Sequence, residues 1–209
     1  MILYAITDRR LSAGGDLVQQ ASTLLRAGVD WLQVREKDLP DRTLFDVLRI
    51  LVQESRRFGT RILLNGRSDL ASAAGAHGVH LPSDGLPTES IRRVFPRPFL
   101  VVRSCHSESE VMEASAAGAD AVTLGPVYET PSKNPFGRPL GVERFAEVCR
   151  KAPLPVLALG GVSAARIGEV AAAGAEGVAA IRLFCGLSNP FLAIPALRAL
   201  AKKEGEKCP

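Results

Sequence analysis

His106 is the residue of this sequence with the clearest capacity for acid–base chemistry. It follows a predicted strand at 99–103, whose end RSC (103–105) turns polar, and directly precedes a helical pattern that starts near Ser107. An imidazole can both donate and accept a proton near neutral pH, so it can move a proton between two atoms of a substrate. The pattern predicts a catalytic role for His106. The alternative is a residue at a helix N-terminus that does no chemistry.

The glycine pair Gly160-Gly161 follows another apolar run, and a helix is predicted to start two residues later, at Ser163. Residues without a Cβ let backbone N–H groups approach an anion, and a helix N-terminus adds positive potential. Ile181-Arg182 stand in the corresponding place after the last apolar run. These four residues predict a phosphate seat, and the alternative is that the glycines only make a tight turn.

Arg35 and Lys37 are two residues apart at the end of a predicted strand, so their side chains should point the same way. Two cations directed at one place predict a second anion site. The alternative is that both form salt bridges with Glu36 or Asp38.

A long loop with proline and glycine, YETPSKNPFGRPLG (128–141), carries a third polar group made of Thr130, Ser132 and Lys133. Long loops in compact barrels are often functional, and two hydroxyls with an ammonium suit a phosphate or a carboxylate. The alternative is that these side chains only solvate the loop.

These residues are separated by a regular alternation of short apolar runs and helical patterns. In four segments an alanine-containing helix ends at a glycine and an apolar run follows: RAGVD (26–30), AAGAHGVHL (73–81), AAGADAVTLG (116–125) and AAGAEGVAAI (172–181). Strands are predicted at 2–6, 29–34, 61–65, 78–81, 99–103, 120–124, 155–159 and 177–181. Helices are predicted at 15–27, 41–58, 68–74, 87–94, 107–117, 141–150, 163–173 and 190–203.

Eight strands in alternation with eight helices predict an α/β fold, a single (β/α)8 TIM barrel. The domain is expected to span residues 1–209, with about 203–209 as a frayed C-terminal tail. A doubly wound open sheet is the alternative, but the GxGxxG turn that usually follows its first strand is missing. In a barrel the active site lies at the C-terminal ends of the strands, which is where the polar residues above are found.

The composition of the 209 residues is that of a globular protein, with 46% hydrophobic residues and a net charge of +4. No basic patch and only 5% aromatic residues argue against nucleic-acid binding. The sequence shows no signal peptide, no apolar stretch long enough to span a membrane and no CxxC pair. We therefore expect a cytoplasmic enzyme with a small-molecule substrate and no membrane partner, and the sequence leaves homo-oligomerisation open.

Six segments together resemble the thiamine phosphate synthase superfamily over nearly the whole chain. They are YAITD (4–8), QVREK (33–37), GVHL (78–81), LGPVYETPSK (124–133), LALGGV (157–162) and GVAAI (177–181). The resemblance implies one of two activities. The synthase joins a hydroxymethylpyrimidine diphosphate to a thiazole phosphate carboxylate and releases diphosphate. The thiazole tautomerase (TenI-like) converts the same thiazole to its aromatic tautomer.

Single positions divide between the two branches. Synthases have an Asp after Asn65 that binds magnesium, whereas this chain has Gly66, and LPS (81–83) and RSCH (103–106) are also similar to the tautomerase. The synthase pattern is kept in Arg35 and Lys37, and it is approximated by the loop with Thr130, Ser132 and Lys133. The balance of these positions predicts a tautomerase, with the synthase as the alternative. A non-catalytic barrel that binds a phosphate ligand for regulation is a third hypothesis.

For the tautomerase, the resemblance implies that the substrate phosphate lies on the N–H groups of Gly160, Gly161, Ile181 and Arg182. The loop with Thr130, Ser132 and Lys133 holds the carboxylate, and His106 carries out a 1,3-proton shift without a cofactor. For the synthase, it implies Mg²⁺ with Asp84 as a ligand. A pyrimidine diphosphate site would then be formed by Gln33, Arg35, Lys37, Asn65 and Ser104.

Overall fold

The computed structural model describes residues 1–11, 15–130 and 138–203. The strands are β1 (Ile2–Ile6), β2 (Trp31–Val34), β3 (Arg61–Asn65), β4 (Gly78–Leu81), β5 (Leu100–Cys105), β6 (Ala121–Leu124), β7 (Val156–Leu159) and β8 (Gly177–Ala180). The helices are α1 (Leu17–Ala27), α2 (Asp41–Ser55), α3 (Ser68–Ala73), α4 (Thr88–Val94), α5 (Glu108–Ala116), α6 (Val142–Lys151), α7 (Ile167–Ala172), α8 (Arg182–Cys185) and α9 (Pro190–Lys203).

The strands form a closed parallel barrel in chain order, because β8 pairs with β1. Side chains alternate between the two faces of each strand, so every second residue points into the barrel. The inward positions form one core of Tyr4, Ile6, Leu63, Val102, Ala121, Leu157 and Ala179. The outward positions pack against the helices and form the larger core. This arrangement brings the C-terminal ends of all eight strands to one rim.

The helix boundaries follow local chemistry. Asp16 caps α1 by accepting a hydrogen bond from the N–H of Gln19, and Gly28 ends it at a φ of 91° in the left-handed region. Ser107 caps α5 in the same way through the N–H of Glu110. These caps set where α1 and α5 begin and where α1 ends.

The predicted TIM barrel is confirmed, with all eight predicted strands within two residues of their expected bounds. Two differences concern helices. The predicted helix 163–173 is divided into a 3₁₀ turn (Ala164–Arg166) and α7, and the short α8 was not predicted. That the whole of 1–209 is one domain stays a prediction, and the expected frayed tail falls mostly on 204–209, outside the described residues. None of the helices described here has the length and apolar character to cross a membrane.

Candidate active site

The glycine pair lies on the loop that follows β7 and packs against the loop that follows β6. Gly160 and Gly161 have φ angles of 93° and 67°, in the region that favours glycine. A Cβ on Gly160 would lie 2.6 Å from the Cβ of Pro126, and a Cβ on Gly161 would lie 2.5 Å from the carbonyl oxygen of Glu129. The pair is therefore required for a tight turn. A tight turn also leaves its backbone open to a ligand.

The N–H groups at this part of the rim are available. Within the described residues, the N–H groups of Gly160, Gly161 and Ile181 donate no hydrogen bond, and neither does that of Arg182 at the start of α8. Arg166 adds positive charge nearby, because its guanidinium donates to the Gly161 carbonyl at 2.8 Å. The side chain of Arg182 is exposed. The structure thus brings together the four residues of the predicted phosphate seat.

The cations after β2 are not neutralised by their acidic neighbours. Glu36 is buried, and it accepts hydrogen bonds from the Thr7 hydroxyl at 2.9 Å and from the Arg9 guanidinium at 2.9 Å. Arg9 also binds Asp38 in two hydrogen bonds and thereby holds the pKa of that carboxyl far below its usual range. The alternative of salt bridges from the predicted cation pair to these acids is therefore wrong.

Arg35 is half-buried and Lys37 is exposed at this rim. In the part of the chain that the structure describes, neither side chain forms a hydrogen bond or an ion pair. A cation held beside the active-site rim without a carboxylate partner is suited to an anionic ligand.

His106 is fixed by two contacts at the end of β5. Its N–H donates to Glu110 Oε2 at 2.7 Å, and its ring Nδ1 donates to the carbonyl of Gly125. Because a carbonyl only accepts, the proton of the neutral ring lies on Nδ1 and Nε2 is the basic nitrogen. The side chain is half-buried at the rim, as expected from the sequence.

The β3–β4 side of the rim offers limited support for a metal. Gly66 supplies no carboxylate, and Asp69 is bound by Arg67 at 2.9 Å, which lowers its pKa. Asp84 lies on the exposed loop after β4, and the structure gives it no partner among the described residues. No cluster of three potential metal-binding side chains is found in the described ranges. One carboxylate is enough only when substrate phosphates supply other ligands, as is common for Mg²⁺.

The predicted loop group is only partly described. Thr130 is half-buried and takes part in interactions with the rest of the protein. Ser132 and Lys133 lie in 131–137, outside the described residues.

Polar side chains inside the barrel connect Gln33 and Ser104, both predicted for the pyrimidine diphosphate site, through Tyr4 and His80, which were given no role from the sequence. Gln33 donates to the Tyr4 hydroxyl at 3.0 Å, that hydroxyl lies 3.0 Å from His80 Nδ1, and His80 Nε2 lies 2.8 Å from Ser104 Oγ. Burial raises the pKa of Tyr4 far above its usual value, so the phenol keeps its proton. The sequence signal for this group is the presence of polar residues at inward positions of β1, β2 and β4, because most inward positions of the barrel are apolar.

The fold and the rim define a (β/α)8-barrel protein with available anion-binding groups at the usual place of an active site. Comparison with known proteins gives the family. The family model of thiamine monophosphate synthase matches residues 3–184, and the chain belongs to this family.

Relatives and solved structures agree with this assignment. A protein named putative thiamine-phosphate synthase from Geobacter sulfurreducens is 44% identical over 95% of this chain and 93% of its own length. A thiamine-phosphate synthase from a Roseiflexus species is 37% identical over 95% of this chain and 84% of its own length. The structure of thiamine phosphate pyrophosphorylase from Pyrococcus furiosus is similar with a TM-score of 0.87, 29% identity, and coverage of 97% and 96% of the two chains.

The prediction of a thiazole tautomerase is wrong. Proteins similar over nearly the whole chain are named synthases, whereas the tautomerase interpretation depended on a few positions, chiefly Gly66 and LPS (81–83). The physical argument from Gly66 was too strong, because losing one carboxylate does not prevent magnesium from binding through substrate phosphates. The names of these relatives favour the alternative, a thiamine phosphate synthase.

Proposed function

We propose that this protein is a thiamine phosphate synthase that joins a hydroxymethylpyrimidine diphosphate to a thiazole phosphate and releases diphosphate. The observation that carries the proposal is the similarity to proteins named thiamine-phosphate synthase, at 44% and 37% identity over 95% of the chain. The anion-binding groups at two places on the rim suit a reaction between two phosphorylated substrates.

In this proposal the diphosphate binds on the β2–β5 side of the rim. Arg35 and Lys37 supply positive charge there without competition from the acids beside them. Asn65 and Ser104 are proposed to complete this site, and Gln33, which was predicted for it, supports it from inside the barrel through its contact with Tyr4. Mg²⁺ would be held by the diphosphate and Asp84, and when bound it offsets negative charge on the leaving diphosphate.

The thiazole phosphate is proposed to bind on the opposite side. Its phosphate accepts from the N–H groups of Gly160, Gly161, Ile181 and Arg182, none of which has an acceptor within the described residues. The loop with Thr130, Ser132 and Lys133 is proposed to contact the rest of this substrate. His106 holds the Gly125 carbonyl at the start of that loop, so in a synthase we assign it a positioning role.

The reaction is tested with both substrates and Mg²⁺, with diphosphate release as the measurement. We expect release that requires both substrates and falls when the metal is chelated. Aromatisation of the thiazole tautomer alone, without diphosphate release from the full mixture, would contradict the proposal. Tight binding of a thiazole phosphate without turnover would contradict it too, in favour of a regulatory binding barrel.

The diphosphate site is tested with two arginines of the same rim. Arg35→Gln should raise the KM for the pyrimidine diphosphate about tenfold or more, because a charge-assisted hydrogen bond is lost, and it should leave stability unchanged. Arg9→Gln is the matched control, since Arg9 holds the buried Glu36. It should lower the free energy of unfolding, because the buried Glu36 loses a charged hydrogen-bond donor. An unchanged KM for Arg35→Gln would remove this residue from the site.

A further inference from the structure

The polar side chains inside the barrel form one connected network across its interior. Gln33 on β2, Tyr4 on β1, His80 on β4 and Ser104 on β5 are joined by contacts of 3.0, 3.0 and 2.8 Å. Thr123 on β6 donates a longer hydrogen bond of 3.5 Å to Ser104. Tyr4, Gln33 and His80 are 0%, 1% and 3% exposed, so solvent cannot satisfy their polar atoms.

The Gln33 amide, as a donor to Tyr4, sets the direction of the hydrogen bonds along this buried network. The Tyr4 hydroxyl has one proton and accepts from the Gln33 amide, so its proton must go to His80 Nδ1. That nitrogen must then be unprotonated, and the ring proton lies on Nε2, directed at Ser104 Oγ. With the proton on Nδ1 instead, the Tyr4 O–H would lose its acceptor in a fully buried place, which is costly.

Ser104 is the last residue in this chain of hydrogen bonds. Its oxygen accepts from His80 Nε2 and, at longer range, from Thr123, so both of its lone pairs are engaged. Its own proton is then free to be donated elsewhere. Ser104 is half-buried one residue before the end of β5, next to the rim where the substrates are proposed to bind.

We propose that Gln33, Tyr4 and His80 are positioning residues that make Ser104 a hydrogen-bond donor toward the diphosphate. The His80 ring acts in its Nε2–H form and holds the Ser104 oxygen as an acceptor, so that the hydroxyl proton is presented to the substrate. This inference rests on the proposed synthase function for its substrate, but the hydrogen-bond direction rests only on the buried contacts. The opposite direction would require the Gln33 oxygen to face Tyr4, and Ser104 would then donate to a His80 ring protonated on Nδ1, which the NMR measurement below distinguishes.

The ring proton is measured directly by ¹⁵N–¹H NMR of the histidine side chains in the wild-type protein without substrate. The chain has three histidines, so the spectrum of His80→Gln assigns the His80 signals. We expect a neutral ring protonated on Nε2 at neutral pH. Tyr4→Phe, which removes the donor to Nδ1, should reduce the Nε2–H population. A ring protonated on Nδ1, or on both nitrogens, overturns the proposal whether or not the protein is a synthase.

The effect on the reaction is measured by a double-mutant cycle with diphosphate release as the readout. His80→Leu should lower kcat/KM about 10-fold to 100-fold, the usual effect of a lost hydrogen bond to a charged group. His80→Gln should restore most of it, because an amide N–H can replace Nε2–H. In a Ser104→Ala background, His80→Leu should add less than about threefold.

The outcomes separate this inference from the proposed function. A full additional loss in the Ser104→Ala background would mean that His80 acts by another route, and the positioning role would be wrong. Absence of diphosphate release from the wild-type protein would refute the synthase function and leave the NMR result standing for the direction of the network.

Discussion

At the level of single residues, Gly66 is a position where the packing does not require glycine. A Cβ added there would meet no heavy atom closer than Pro82 Cδ at 4.0 Å. The φ angle of 75° favours glycine, but aspartate and asparagine adopt this region more readily than other residues. A carboxylate at this position therefore fits the space beside the loop that carries Asp84.

Gly66→Asp should increase the affinity for magnesium under the proposed function. A second carboxylate strengthens a site that otherwise depends on Asp84 and substrate phosphates. We expect the Mg²⁺ concentration for half-maximal diphosphate release to fall about tenfold, the effect of roughly 1.4 kcal/mol of added binding. Gly66→Asn is the control, with the same shape and no charge. Equal magnesium dependence in the two variants would show that position 66 does not face the metal.

Single residues also show what could be predicted of the site from the sequence. Arg35, His106 and Gly160 each follow a predicted strand, and this predicted that they lie at one rim, because parallel strands bring their C-terminal ends together. The pairing of Arg9 with Glu36 was not predictable, since these residues are 27 positions apart and meet only through the β1–β2 register. The choice between two activities was made from a few positions, chiefly Gly66 and LPS (81–83), and it was wrong.

At the level of elements, the turn after β7 is shaped by its contact with the loop after β6. Val127 N donates to the Leu159 carbonyl at 2.9 Å and Tyr128 N to the Gly160 carbonyl at 3.0 Å. The two loops therefore continue the pairing of their strands beyond the barrel. The absence of a Cβ on the glycine pair is what permits this close approach.

Gly161→Ala should destabilise the protein more than a glycine substitution of similar backbone conformation elsewhere. Gly28 is the matched control, because its φ is 91° and nothing lies within 4 Å of an added Cβ. Gly28→Ala should cost about 1–2 kcal/mol from the left-handed conformation alone. Gly161→Ala adds a clash with the Glu129 carbonyl and should cost about 1–3 kcal/mol more, measured by urea unfolding. Equal costs would mean that the loop moves aside without penalty.

His77 joins β3 to the turn before β4, and this contact should depend on pH. Its Nδ1 accepts from the N–H of Ile62 at 3.0 Å. Burial, with help from Arg61 and Arg56, lowers the pKa of His77 below its usual 6.5. The unfolded chain therefore binds this proton more tightly than the folded protein does. The stability that neutral His77 contributes is fully present above about pH 6.5 and is lost as the pH falls toward the folded pKa.

The pH effect of His77 is isolated by comparison with His77→Asn, whose side-chain oxygen can accept from Ile62 without titrating. We expect the wild-type protein to lose stability relative to this variant between pH 7.5 and 5.5 in denaturant titrations. The sign follows from the lowered pKa, because a raised pKa would give the opposite trend. Parallel curves for the two proteins would show that folding does not change the pKa of His77.

Elements were predictable where the sequence contains a complete local signal. The strands were short, nearly continuous apolar runs, most of them with a glycine or proline near one end, and all eight were identified. The helix α8 was missed because its four residues, Arg182–Cys185, are too few for any periodic pattern. The break between the 3₁₀ turn at Ala164–Arg166 and α7 depends on hydrogen-bond geometry that residue types do not specify.

For the whole molecule, the alternation of strands and helices predicted the barrel, but not how its two ends are joined. The β1–β8 pairing connects the first and last strands. A second connection is made by side chains. Arg198 on α9 donates to the Gly28 carbonyl at 2.7 Å and to Asp30 at 2.9 Å, and Asp30 accepts from the N–H of Leu3 at 2.7 Å.

Arg198→Met should therefore weaken the closed barrel, whereas an arginine in a local surface pair should matter little. Methionine keeps most of the apolar stem and removes both hydrogen bonds, so the Gly28 carbonyl and the Asp30 carboxylate lose a partner. We expect the free energy of unfolding to fall by about 1–2 kcal/mol, since both side chains of the ion pair are only partly exposed. Arg93→Met is the control. Arg93 pairs with Glu89 one turn away on the same helix, and both side chains are more than 70% exposed, so this variant should change stability by less than about 0.5 kcal/mol. Urea unfolding of the two variants gives the comparison. Equal effects would mean that closure depends on strand pairing and apolar packing alone, with no contribution from the contact between α9 and the start of β2.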